Sequence, residues 1–234
     1  MTRARLLALL FPRRCPFCGA LLGADAVQGT VCPACLPEGE HAFYALGEAA
    51  AAYYYADAVR GAILRCKRGG RPWYAQELAD RMAVLIFGAL PARRVGELPQ
   101  YRGLHTLPLY SCIVPVPPNR PRPGVPGLPL LLARRLSAVL GIPVVTPLYI
   151  KNPGRPQKEL NREERLRRAK AAFACRPGTD LTGKRVLLVD DIITTGATAS
   201  ACAAALLQAG AIEVTAAAIA ATEELPKAQK KKER

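Results

Sequence analysis

The stretch VLLVDDIITTGATAS, residues 186–200, constrains the fold more than any other part of the chain. Its apolar run, read as a strand from Arg185 to Val189, has no alternation and so suits a strand buried on both faces. The run stops at two adjacent carboxylates, Asp190 and Asp191, and turns through hydroxyls and one glycine. A helical pattern from Ala199 to Gln208 follows, ended by Gly210, and a second strand runs from Glu213 to Ala218. Strand, helix and strand in that order make a crossover unit, which implies a parallel sheet flanked by helices and an α/β class. With 234 residues the chain has room for one main domain and a smaller appendage. Aromatic residues make up only 6%, so Ala, Leu and Val must fill the core.

The loop after the carboxylates suits an anion. A helix that starts at the end of a parallel strand points its first N–H groups outward without partners. Thr194, Thr195, Gly196, Ala197 and Thr198 occupy that place; the glycine allows close backbone approach and the hydroxyls add donors. No lysine follows Gly196 as a Walker A loop requires, and a dinucleotide fingerprint needs more glycines than the one present. Two acids would repel a phosphate, so Asp190 and Asp191 must face something else, either a neutral diol or a magnesium ion.

At the other end, CPFCGALLGADAVQGTVCPACL contains two Cys-Pro-x-Cys turns, Cys15 with Cys18 and Cys32 with Cys35. Each turn offers two thiolates to a shared centre, and two turns complete a tetrahedral structural zinc site. A disulfide pair is the other reading, but nothing else in the chain points to export. Cys66, Cys112, Cys175 and Cys202 are scattered and read as reduced, packing thiols. The apolar stretch from Leu6 to Phe11 is too short for a secretory leader and is followed by Pro12, Arg13 and Arg14, so it reads as a short amphipathic helix. With no stretch long enough to span a bilayer, a cytoplasmic location is expected.

Four regions follow: a cysteine module over 1–48, a helical segment and connector over 49–110, an α/β domain over 111–222 and a basic tail over 223–234. Helices are expected at Ala56–Arg65, Tyr74–Phe87 and Pro129–Leu140, with strands at Tyr53–Tyr55, Cys112–Val116 and Val144–Val145. Lys and Arg outnumber Asp and Glu by 33 to 18, a net charge of +15 that favours polyanionic or phosphorylated partners. Residues 151–185 carry eleven of these cations against four acids. His41 and His105 read as surface or packing residues.

A ligand with a ribose diol, a 5′-phosphate and a magnesium-bound pyrophosphate meets every demand of the Asp190–Thr198 segment, and VLLVDDIITTGAT closely resembles the motif with which type I phosphoribosyltransferases bind phosphoribosyl pyrophosphate (PRPP). The resemblance implies that Asp190 and Asp191 hold the ribose hydroxyls and that Thr194, Thr195, Gly196, Ala197 and Thr198 wrap the 5′-phosphate. More of the chain resembles the ComF family: the cysteine module after a Leu-rich lead, the L-x-x-x-K-x-x-G element at Ile63–Gly70, the I-V-P-V-P strand end at Ile113–Pro117 and the Q-x-x-L-x-R-x-x-R segment from Gln157 to Arg165. Members of that family are phosphoribosyltransferase-like proteins linked to natural competence. The resemblance therefore implies a type I phosphoribosyltransferase-like sheet behind a zinc module, with Mg2+ accompanying PRPP. It places Val116, Pro117, Asn119 and Arg120 on the pyrophosphate side, and Gln157, Arg162 and Arg165 on a loop that closes over substrate. Gly124–Pro129 replaces the family's R-G-F-N-Q, Arg168 replaces an Asn and Gly154 a Thr. The resemblance thus carries PRPP binding further than turnover.

Three functional readings remain distinct. One is a PRPP-binding protein acting in uptake or processing of transforming DNA, whose basic surface would hold single-stranded DNA with steep salt dependence. Another is a phosphoribosyltransferase of nucleotide synthesis or salvage, in which positioning and charge stabilisation displace pyrophosphate. The last is a non-enzymatic docking module for a DNA-translocating partner of the competence machinery.

Overall fold

The computed structural model describes residues 14–23, 31–35, 44–46, 49–68, 73–90, 98–101, 110–119, 121–151 and 172–222. Its elements, in chain order, are a single 3-10 turn at Pro33–Cys35, β1 (Tyr44–Leu46), β2 (Ala49–Tyr54), α1 (Asp57–Arg68), α2 (Trp73–Phe87), β3 (Cys112–Pro115), α3 (Leu128–Leu140), β4 (Leu148–Ile150), β5 (Phe173–Cys175), β6 (Arg185–Ile193), α4 (Ala197–Gln208) and β7 (Glu213–Ala221). The expected leader helix, the basic tail, His41 and His105 lie outside the described residues.

The main sheet has the order β1-β2-β7-β6-β3. Its three parallel pairings are β2 with β7, β7 with β6 and β6 with β3, while β1 caps one edge antiparallel. As the apolar run requires, β6 is sandwiched. Leu187 and Val189 face one layer, with Ile63, Leu78, Met82, Leu132 and Leu136 of α1, α2 and α3. Val186 and Leu188 face the other, with Cys202 and Leu206 of α4 and the β4–β5 ribbon. This is the expected α/β architecture, a parallel sheet with helices on both faces.

Several elements differ from the pattern reading. Val144 forms only an isolated parallel bridge to Ile113, where a short strand was expected. β6 and β7 run on to Ile193 and Ala221, because the register continues past the carboxylates through Asp190 opposite Ala218 and Ile192 opposite Ala220. In the segment read as helical connector, Ala49–Tyr54 enters the sheet as β2 beside β7. Both strands are rich in alanine and largely buried.

The cysteine module is built into the first layer. Cys15, Phe17 and Val31 are buried in one cluster with Tyr53, Ile63 and Leu78, and the Phe17 ring meets Tyr53 edge-on at 5.4 Å. A bidentate ion pair, Arg135 donating to Asp80 at 2.7 and 2.8 Å, ties α3 to α2 beneath it. No described helix is long and apolar enough to cross a membrane.

Candidate ligand-binding site

The carboxyl ends of β3, β6, β7 and β2 share one edge, and the chain leaves β6 there through Thr194, Thr195 and Gly196 into α4. Gly196 caps the helix in the left-handed region at φ 75°, with no side chain closing the terminus. The Ala197 N–H leans only weakly on Thr195 Oγ1 at 3.4 Å, and Thr194, Thr195, Ala197 and Thr198 are all exposed. Such a terminus keeps amide and hydroxyl donors open to an anion. Ala197 and Thr198, read as loop, form the first turn of the helix.

The two acids point to opposite layers, as period-two strand geometry dictates. Asp190 lies toward α4, where its charge is felt by Cys202. Its Oδ1 accepts the Asp191 N–H at 2.8 Å. Burial, and then the neighbouring Asp191 charge, push the Asp190 carboxyl up to about 7. Asp191, only 9% exposed, turns toward α1 and meets Lys67, whose Nζ is 3.0 Å from Oδ1 and 2.9 Å from Oδ2. Sequence reasoning did not assign Lys67, although the Ile63–Gly70 element contained it. Its signal was a lysine placed just before the Gly69-Gly70 break that ends a basic helix.

Among the residues expected on the pyrophosphate side, Val116 donates its N–H to the Val189 carbonyl at 2.9 Å, which brings the end of β3 one residue from Asp190. The Val116 side chain is buried, Pro117 is partly buried, and Asn119 is exposed. Arg120, Gln157, Arg162 and Arg165 lie outside the described residues.

Away from this edge, the sulfurs of Cys15, Cys18, Cys32 and Cys35 all lie within 4.8 Å of one another, and Cys18 and Cys32 are 3.6 Å apart. Ligands about 2.3 Å from a tetrahedral zinc stand about 3.8 Å apart, so the four thiols fit that ion. The Ala20 N–H pulls the Cys18 thiol down to about 7, while burial pushes Cys35 up to about 12. A bound zinc would hold all four as thiolates and join the two turns. Among the described residues this is the only cluster of three or more ligating side chains. Among the described residues no third ligating side chain joins Asp190 and Asp191, and Mg2+ commonly arrives on substrate phosphates.

Residues 124–234 match the phosphoribosyl transferase domain. The parallel sheet flanked by helices is phosphoribosyltransferase-like. The matched part begins after β3, although β2 and β3 complete the same sheet. Adenine phosphoribosyltransferase of Nocardia farcinica (strain IFM 10152) is 37% identical over 98 residues, 41% of this chain. The chain spans about half the length of that relative, 50%. Among solved structures, a glutamine PRPP amidotransferase from B. subtilis complexed with ADP and GMP is 22% identical, with a TM-score of 0.37, over 61% of this chain and 25% of its own. A structure described as the allosteric regulatory enzyme of purine biosynthesis is 21% identical, with a TM-score of 0.36, over 61% and 24%. The phosphoribosyltransferase superfamily is thus supported by the sequence matches, and the parallel sheet agrees with it.

Proposed function

We propose that this protein binds PRPP at the carboxyl edge of its sheet. The observation that carries the reading is the adjacency of three features: the Asp190–Asp191 pair, the left-handed Gly196 and the open amino terminus of α4. In this assignment the exposed donors of Thr194–Thr198 take the 5′-phosphate and the acids accept hydrogen bonds from the ribose diol. Mg2+ enters with the ligand and neutralises its pyrophosphate. Val116, Pro117 and Asn119 are assigned to the pyrophosphate side; Arg120, Gln157, Arg162 and Arg165 lie outside the described residues and join the assignment on the family resemblance alone. Zinc at Cys15, Cys18, Cys32 and Cys35 is structural.

The wider role is uptake or processing of transforming DNA in the cytoplasm, with single-stranded DNA and a protein of the competence machinery as partners. The pairing of a cysteine module with a phosphoribosyltransferase domain, as in the ComF family, supports this role, as does the cationic excess over residues 151–185. The second reading is phosphoribosyl transfer in nucleotide salvage, and the 37% identity to an adenine phosphoribosyltransferase favours it.

Calorimetric titration of PRPP with magnesium into the wild type and into the Asp190→Ala, Asp191→Ala double variant tests the common core of both readings. Saturable binding to the wild type and none to the variant is expected; a wild type without PRPP binding overturns them. Adenine-dependent release of pyrophosphate then selects salvage. Salt-sensitive affinity for single-stranded DNA without such release selects DNA handling.

A further inference from the structure

Lys67 stands one residue from the end of α1, outside the matched region 124–234, and is separated by 124 positions from the acid it meets. Its side chain is 40% exposed, while that of Asp191 is 12% exposed, so the ammonium reaches from the solvent edge to a largely buried carboxylate. A contact with both oxygens fixes the plane of the Asp191 carboxylate and leaves further lone pairs free on each oxygen. Beside it, Asp190 is held up to about 7 by burial and by the Asp191 charge, and the Lys67 charge pulls it the other way.

A diol needs acceptors. A protonated carboxyl presents an O–H instead, so two adjacent acids serve a diol well only if something offsets their mutual repulsion. The thiols near the pair cannot do so at neutral pH. On α1, burial pushes Cys66 up to about 11, and on α4 burial pushes Cys202 up to about 12, which leaves both as neutral thiols. Arg65, also on α1, acts on Cys66. β7 places Ala218 opposite Asp190, and the strand end of β3 contributes Val116, neither of which carries charge.

We propose that Lys67 is a positioning residue of the diol-binding pair, holding Asp191 as an oriented, charge-compensated acceptor for the ribose hydroxyls of PRPP. The inference rests on the PRPP reading above and adds to it a residue from the helical segment. α1 thereby becomes part of the ligand site, although its sequence lies far from the motif.

The test compares wild type, Lys67→Met and Lys67→Arg in two measurements. In calorimetry with PRPP and magnesium at neutral pH, Lys67→Met should bind about tenfold more weakly, the scale of a lost charge-assisted contact, and Lys67→Arg should recover to within about threefold. In a carboxylate NMR titration of the ligand-free protein, the Asp190 midpoint should move upward in Lys67→Met and return in Lys67→Arg. A general packing defect would not give that pattern of rescue. Equal PRPP affinity in wild type and Lys67→Met, with binding still lost in the Asp190, Asp191 double variant, overturns the inference and leaves the PRPP reading standing. A wild type that does not bind PRPP overturns the ligand assignment. The titration then judges the Lys67 contact alone, and an unmoved midpoint overturns that as well.

Discussion

Asp190, proposed above to bind the diol, is held at a cost to the fold. Its unfolded form titrates near the ordinary 3.8 and its folded form near about 7. Between those values the folded chain keeps a proton that the unfolded chain has lost, so stability falls as pH rises through the window. Above about 7 the full penalty applies, on the order of 4 kcal/mol for a rise of that size. Asp190→Asn removes the ionisation while keeping shape. The variant should therefore unfold at higher urea than wild type at about pH 8 and at nearly the same urea at about pH 4, where both side chains are neutral. An equal advantage at both pH values would mean that the gain comes from packing rather than from the buried charge. Ligand hydroxyls donating to Asp190 would offset the same penalty, so a residue that weakens the free protein strengthens its hold on a diol.

The turns around α4 show glycine serving two different needs. Gly196 has φ 75° and open space where a side chain would go, so its substitution to Ala meets only the left-handed penalty, about 1–2 kcal/mol. Gly210 has φ 99°, and an added Cβ would lie 2.8 Å from Thr182 Oγ1 and 3.0 Å from the Thr182 Cα and N. The 181–183 turn is fastened there by Leu181 N–H to the Ala209 carbonyl and Gly183 N–H to the Gly210 carbonyl. Gly210→Ala should thus cost more than Gly196→Ala, by about 1–3 kcal/mol of overpacking, in chemical denaturation of the two variants. Both glycines were legible as punctuation, and α4 was legible between them. The end of β6 was not, because aspartate is a poor strand former and pattern reading stops where the apolar run does; β7 runs on to Ala221 in register with it. Of β2 only the tyrosine end was legible, in the strand expected at Tyr53–Tyr55; the alanine run before it carries no alternation and alanine prefers helix, and its partner β7 makes it a strand. The Lys67–Asp191 contact depends on how α1 returns over the sheet edge, and no local pattern encodes a meeting across 124 positions.

On the scale of the whole molecule, the cysteine module is part of the main core. A small knuckle read from sequence alone has little to bury and depends on its metal. In the fold, Cys15 and Phe17 are fully covered, and they share a cluster with Tyr53, Ile63, Leu78 and Met82. Tyr53 in turn receives a hydrogen bond from the Arg81 guanidinium, so the module touches β2 and α2 through one aromatic contact. Metal loss would free residues 14–23 and 31–35 from each other and uncover that contact. Zinc removal by chelation, or Cys18→Ser, should therefore lower the melting temperature by about 5–10 °C. Amide exchange should also quicken across α1 and α2, not only in the module. The exposed Cys18 makes the substitution informative, since it removes a ligand without carving a cavity in the core. Exchange that quickens only in residues 14–35 would show that the knuckle merely rests on the helices. Exchange that spreads into α1 would make zinc a support of the helix that carries Lys67, and PRPP affinity should then weaken in the zinc-free protein while β6 and β7 keep their protection.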